Sequence, residues 1–346
     1  MKSILFSFFP THVNWNHGAA LLTSVCDDSD IDADYAPLDY SWPDKMKGYD
    51  IIGFSFVTDS DYIASISYMM MANQEGKIVM VGGPYARRGG YIYPDLVDYV
   101  CRGEASCLPD FIINGDAKVF NEVCTDDLDA IPPPDLSHLT GYEFHRGYPF
   151  LKGVRIFPYQ TSRGCPFQCN FCDVQHQKPS GVRIKHTIKE DLEGMMMAYK
   201  PDLIYLLDTT SPYWMKEWRE QWKGLYVPFQ TYIRADISEF ELEFLIAHGL
   251  KFTPFGVESG SERFRNEVLK KGITDEQIWR TVRILRSNDV TYAPFFMAGM
   301  PGETPEDKKA TIKMMNEIGG WPTVWQYQDL SISIRGSDDR RLKVIN

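Results

Sequence analysis

No stretch of this 346-residue chain reaches the roughly 18 consecutive apolar residues that a membrane-spanning helix needs, so no association with a membrane is expected. The opening run Met1 to Pro10, MKSILFSFFP, lacks the small-residue cleavage site of a secretory leader and reads as a buried strand. Cysteine is sparse. There are seven, an odd number, and Cys26, Cys101, Cys107 and Cys124 are dispersed. That usage excludes a disulfide framework and an accessory cysteine-rich segment, and it places the protein in a reducing compartment, the cytoplasm. The dispersed cysteines are expected to be buried and structural. Positive charge is also short, with 36 Lys and Arg against 47 Asp and Glu and a net charge of −11. Such a surface repels a phosphate backbone on average, so general nucleic-acid binding is not expected, while a local basic channel stays open.

What is present is apolar residue enough, at 44%, for two buried cores in a chain of this length. In the first half, short apolar runs alternate with helical or loop segments: Ile4-Leu5-Phe6, Ile51-Ile52-Gly53-Phe54, Ile78-Val79-Met80-Val81 and Tyr99-Val100-Cys101. Alternation of this kind implies crossover connections and a parallel sheet covered on both faces. The last three runs are followed by Ser55, by Gly82-Gly83-Pro84 and by Arg102-Gly103-Glu104. These groups fall at carboxyl ends of strands, where open α/β sheets bind ligands and where glycine lets a ligand approach the backbone.

Asp126 to Asp135, with Pro132-Pro133-Pro134, reads as a stiff linker. From Ile156 onward the strand-then-helix pattern resumes, with strands expected at 156–157, 203–207, 229–233, 252–257 and 294–297, and helices around 187–199, 214–222, 238–248 and 274–288. Right-handed crossovers repeated this way close a sheet into a full or partial β/α barrel with its functional groups at the strand carboxyl ends. Those ends carry Asp208, Arg234 with Asp236, Glu258-Ser259-Gly260-Ser261 and the turn Met300 to Thr304. Asp208 and Ser261 are also placed to cap the helices that follow.

Between the halves, Cys165, Cys169 and Cys172 have the spacing that lets three thiolates converge on one iron–sulfur cluster. A four-iron cluster normally takes four thiolates, so three leave one iron open to another ligand. His176 is placed to complete a Cys3His zinc tetrahedron instead, and that alternative stays open.

With Arg163-Gly164 before it, Pro166 inside it and Phe171 before the last cysteine, the run resembles the CxxxCxxC signature of the radical S-adenosylmethionine enzymes. The resemblance covers about 156–312. It implies a [4Fe-4S] cluster on Cys165, Cys169 and Cys172, with S-adenosylmethionine chelating the fourth iron and giving a 5′-deoxyadenosyl radical. It further implies an electron donor such as a flavodoxin or ferredoxin. By the same resemblance the Phe171 backbone meets adenine, Asp208 the amino group, Arg234 the carboxylate or ribose, and Glu258 and Ser259 the ribose and carboxylate.

The ordered set Gly53-Phe54-Ser55, Val81-Gly82-Gly83-Pro84 and Arg102-Gly103-Glu104 resembles the cobalamin-binding domain that precedes many such cores. It implies cobalamin contacts at Ser55, Gly82, Gly83, Gly103 and Glu104. The DxHxxG loop of that domain is absent, His12 and His17-Gly18 being nearest, which implies a corrin without a protein histidine on cobalt. A flavodoxin-like domain without a ligand is the alternative.

The expected fold is therefore α/β: a doubly wound, Rossmann-like domain of the cobalamin-binding type at 1–115, a linker at 116–155, a partial (β/α)6 radical S-adenosylmethionine barrel at 156–325 and a short tail at 326–346. The resemblance implies a cobalamin-dependent methyltransferase acting on an unactivated carbon or phosphorus centre of a small molecule or peptide. Its alternatives are a rearrangement, cyclisation or thiolation without corrin, and a zinc-stabilised binding module without turnover. Because the chain stops soon after Trp325, a partner or the substrate's own macromolecule is expected to cover the site.

Overall fold

A computed structural model describes residues 2–8, 17–27, 29, 31–87, 89–102, 108, 112, 119–120, 128–129, 131–134, 149–172 and 182–326. The chain divides into two compact units, one built on Met1–Lys152 and the other on Gly153–Asp329. Both are α/β with parallel sheets.

The first unit runs β1 (Ser3–Phe8), α1 (His17–Asp27), β2 (Asp32–Pro37), α2 (Trp42–Met46), β3 (Ile51–Ser55), α3 (Asp59–Gln74), β4 (Ile78–Gly82), α4 (Gly83–Arg87), β5 (Tyr99–Cys101) and β6 (Val119–Phe120). Its strands are all parallel, in the order β2-β1-β3-β4-β5-β6. Successive side chains of a strand face opposite ways, and here both faces are buried. Leu5, Ile52, Phe54, Val79 and Val81 pack with Trp42, Tyr62 and Met69 of α2 and α3. Ile4, Phe6, Phe8, Ile51 and Met80 pack with Ala19, Ala20 and Cys26 of α1. This is why the strands read as continuous apolar runs. Ser7, an exception inside β1, accepts a hydrogen bond from the buried Trp42 Nε1 at 2.8 Å. Burial, with Asp27 adding to it, pushes the Cys26 thiol up to about 12, so it is an inert core residue. Cys101 is buried too. In the stretch read as a linker, Leu128 and Ile131 pack on Val25 of α1.

The second unit runs β7 (Ile156–Tyr159), β8 (Ser162–Arg163), β9 (Arg183–Ile184), α5 (Ile188–Tyr199), β10 (Leu203–Leu206), α6 (Lys216–Gln221), β11 (Phe229–Gln230), β12 (Ile233–Arg234), α7 (Glu239–Ala247), β13 (Leu250–Glu258), α8 (Asp275–Ser287), β14 (Thr291–Ala298), α9 (Pro305–Ile318) and β15 (Thr323–Gln326). Its main sheet is parallel and follows chain order, β7-β10-β11-β13-β14-β15, with β12 also on β13. Outward rings pack toward the helices, as Phe157 does on Tyr199 and Phe229 on Trp222. The segment expected as one strand at 229–233 is split in two, with a register shift between Phe229 and Gln230. A single π-helical turn, Phe264–Val268, follows β13. Among the described residues no helix is long and apolar enough to cross a membrane.

Candidate functional site

The three-cysteine segment leaves the second unit's sheet just after β7. Its start is a short antiparallel ribbon in which Ser162 pairs with Ile184 and Arg163 with Arg183. The ribbon is anchored by Asp208, two residues past β10 and 2% exposed. Asp208 Oδ1 accepts the backbone N–H groups of Thr161 and Ser162, each at 2.8 Å, and Oδ2 accepts the Thr161 hydroxyl. Thr161 Oγ1 in turn accepts Trp218 Nε1 at 2.8 Å. Burial pushes the Asp208 carboxyl up to about 6 against the opposing effect of these hydrogen bonds. Both carboxylate oxygens of Asp208 are thus occupied by the ribbon.

The cysteine loop is tied down at its far end as well. Asn170 donates from its backbone to Leu269 O at 3.0 Å and from its side chain to Val268 O at 2.9 Å. Phe171 packs on Phe264, Leu269 and Met300. None of Cys165, Cys169 and Cys172 is in a disulfide; Cys169 is buried at 7% exposure and the others are half-buried. Arg234, at the end of β12 and 8% exposed, reaches Cys169 Sγ with Nη1 at 3.8 Å and lies 3.6 Å over the ring of Phe167. Its remaining donors fork onto Asp236, Nε to Oδ1 at 3.0 Å and Nη2 to Oδ2 at 3.1 Å, and Nη2 also donates to Lys271 O at 2.8 Å.

Lys271 was not singled out by the sequence. It is buried, and its Nζ pairs with Glu258 Oε1 at 2.8 Å while lying 5.6 Å from the Phe171 ring centre. Glu258 ends β13 with φ +67, a conformation that costs a residue with a Cβ about 1–3 kcal/mol. Gly256 makes the pair possible: a Cβ there would stand 2.0 Å from Glu258 Oε1 and 2.8 Å from Lys271 Nζ. Ser259 is held by Thr311 of α9, hydroxyl to hydroxyl at 3.0 Å, and its carbonyl accepts the fully buried Arg265 at 2.6 Å. Asp307 of the same helix accepts from Ser261 and Arg263. Arg234, Glu258, Lys271 and the cysteine loop are therefore brought together, whereas Asp208 faces the loop's root.

On the sheet face away from the helices runs a row of rings: Tyr205 to Tyr232 at 6.3 Å, Tyr232 to Phe295 at 6.0 Å and Phe295 to Trp325 at 5.9 Å. Nearby in the sheet, Gln230 is buried and its Oε1 has no hydrogen-bond partner.

In the first unit, a cavity of about 210 Å³ opens beside β1, β3, β4 and α1, with Gly53, Ser55, Gly82, Gly83 and Met80 in its wall. It sits where strand order reverses between β1 and β3, the place at which open α/β sheets take ligands. Gly83 has φ +86, and a Cβ there would lie 2.7 Å from Phe56 O. Gly103 and Glu104, the remaining expected contacts, lie outside the described residues, as do His12 and His176; of His17 only the backbone is described.

The donor sets can be weighed against the groups they are expected to hold. Among the described residues no three His, Cys, Asp or Glu side chains close on one metal ion. The zinc alternative calls on His176, which lies outside the described residues. A four-iron cluster takes each thiolate on a different iron, and three soft thiols beside a fixed guanidinium fit it. At about 210 Å³ the cavity of the first unit can take only part of a cofactor as large as cobalamin.

Residues 159–315 match the model of the Radical SAM superfamily. An uncharacterised methyltransferase of Pyrococcus horikoshii is 28% identical over 78% of this chain and 64% of its own length. The cytidylyl-2-hydroxyethylphosphonate methyltransferase of Streptomyces wedmorensis is 26% identical over 56% of this chain and 40% of its own. This chain thus spans less than two thirds of the length of either relative. The radical S-adenosylmethionine methyltransferase TsrM from Kitasatospora setae, solved with cobalamin and a [4Fe-4S] cluster bound, shares the fold with a TM-score of 0.73 at 14% identity, over 94% of this chain and 72% of that one.

Proposed function

We propose that this chain, whose residues 159–315 match the Radical SAM superfamily model, is a cobalamin-dependent radical enzyme that transfers a methyl group to an unactivated carbon or phosphorus centre. One observation carries the reading. The CxxxCxxC loop is tied at both ends to the strand-end rim of a parallel sheet, with the buried Glu258–Lys271 pair beside it. Relatives named as methyltransferases, one of them for a phosphonate, support the reaction class.

In this reading Cys165, Cys169 and Cys172 hold the cluster, which with S-adenosylmethionine supplies a hydrogen-abstracting radical while methylcobalamin supplies the methyl group. Glu258 and Lys271 offer the two charges that a zwitterionic amino acid and a ribose diol need, and Ser259 adds a backbone fixed by Arg265 and Thr311. Phe171, packed by its ring, presents its backbone to adenine. Asp208 keeps the root of the cysteine loop in place by accepting from Thr161 and Ser162. The ring row from Tyr205 to Trp325 gives the substrate a wall that excludes water. In the first unit, a Rossmann-like domain of the cobalamin-binding type, Ser55, Gly82 and Gly83 line the cavity that would hold part of the cobalamin. The second unit is then a partial (β/α)6 barrel, and a flavodoxin or ferredoxin is its electron donor.

Anaerobic reconstitution followed by iron, sulfide, cobalt and zinc analysis tests this reading. About four iron and four sulfide per chain, with a base-off cobalamin spectrum, is the expected result. Stoichiometric zinc without iron returns the binding-module alternative, and iron without any retained corrin returns the corrin-free one.

A further inference from the structure

We propose that Arg234 sets the reduction potential of the cluster through Cys169, acting as a positioning and electrostatic residue that does not bind S-adenosylmethionine. The proposal rests on the reading of Cys165, Cys169 and Cys172 as cluster ligands.

The guanidinium is held on several sides. Its Nε and Nη2 are forked onto Asp236, Nη2 also donates to Lys271 O, and its plane lies on the ring of Phe167, inside the cysteine loop. What remains is Nη1, and it points at Cys169 Sγ from 3.8 Å. A carboxylate from a ligand would have to displace Asp236 or the sulfur to gain a bidentate contact. The guanidinium stays protonated at any working pH, so its charge does not vary. Cys169 is also the most buried of the three cysteines, so water screens this contact least.

Hydrogen bonds to cluster sulfurs and nearby charge are among the factors that set such potentials. Arg234 stabilises the one-electron-reduced state, which carries one more negative charge, more than the oxidised state. It thereby eases electron delivery from a low-potential one-electron donor of the flavodoxin or ferredoxin class. Asp236 opposes this by neutralising part of the charge, which gives the two residues opposite signs.

The test is a dithionite-mediated redox titration of the reconstituted, S-adenosylmethionine-free protein, followed by the electron paramagnetic resonance signal of the reduced cluster. In Arg234→Gln, the ratio of reduced to oxidised cluster at the wild-type midpoint should fall about tenfold, equivalent to about 59 mV for a one-electron couple. Arg234→Lys should lie between that variant and the wild type, and Asp236→Asn should shift the ratio upward. The affinity of Arg234→Gln for S-adenosylmethionine should stay within about twofold of wild type. If Arg234→Gln does not retain a cluster, the sign of the Asp236→Asn shift decides. An unchanged potential in Asp236→Asn and in any Arg234 variant that holds a cluster overturns the proposal. So does lost S-adenosylmethionine affinity at unchanged potential, which returns Arg234 to the ligand. A wild-type protein that assembles no cluster overturns the radical reading as well.

Discussion

Asp208 shows how a single buried carboxyl couples the cysteine loop to pH. Its ordinary value of 3.8 rises to about 6 because burial disfavours the charge more than Thr161 and Ser162 favour it. Between those two values the folded chain binds more protons than the unfolded one, so this group's contribution to stability declines as pH rises through the window and is level above it, by roughly 3 kcal/mol in all. Thermal melts of the metal-free protein from pH 4 to 7 should show the difference between wild type and Asp208→Asn narrowing up to about pH 6 and then flattening. A difference that grows with pH would mean the carboxyl is favoured as the anion. The Glu258–Lys271 pair makes a second case. Removing one member, in Lys271→Ala, leaves an unpaired buried carboxylate and should cost about 3–5 kcal/mol in a denaturant melt. The double variant Glu258→Gln with Lys271→Met should recover most of that stability while binding of S-adenosylmethionine stays lost, separating fold from function. Asp208, Arg234 and Glu258 were legible in the sequence because a charge directly after an apolar run has little packing reason to be there. Their partners were not. Lys271 sits in Lys270-Lys271-Gly272, which reads as a solvated turn, and only the fold turns one of those two lysines inward.

Helices announce themselves through their first turns. Thr58 with Asp61, Ser238 with Glu241, Thr274 with Gln277 and Thr304 with Asp307 all form reciprocal capping boxes, a pattern spelled out four residues at a time. The one on α9 does more than start a helix, since Asp307 also accepts from Ser261 and Arg263 and so fastens the loop after β13. Thr274→Ala, at a box with only local duties, should cost about 1 kcal/mol and leave S-adenosylmethionine affinity unchanged in calorimetry. Asp307→Ala should cost more, about 2–3 kcal/mol, and weaken that affinity, because the loop after β13 that carries Ser259 loses its anchors at Ser261 and Arg263. Equal effects of the two variants would make the α9 box an ordinary cap. The break between β11 and β12 was illegible for a different reason: no glycine or proline marks it in Phe229-Gln230-Thr231-Tyr232-Ile233, where four of the five residues favour strands, and a register shift leaves no mark in composition. The antiparallel ribbon of β8 and β9 escaped notice too, because two-residue strands carry no period to read.

For the molecule as a whole, the parallel α/β class of both units follows from their alternating runs, while the burial of Leu128 and Ile131 on α1 was hidden by the prolines that follow them. If both units carry their proposed cofactors, turnover consumes one S-adenosylmethionine for the radical and another for remethylation. Chromatography of quenched reactions with true substrate should then find 5′-deoxyadenosine and S-adenosylhomocysteine in comparable amounts; 5′-deoxyadenosine alone would move the assignment to a rearrangement or cyclisation. The sheet of the second unit also bears on how the chain is made. Because its strands lie in chain order from β7 to β15, each new strand leaving the ribosome finds its neighbour already synthesised and covers the edge that neighbour had left bare. The nascent domain thus advances with one growing edge, a ready template for another chain's strand until the next arrives. Among the described residues that edge passes to β15, which brings Val324 and Trp325 to it 48% and 56% exposed, so the sheet's most recently added strip is also an adhesive one.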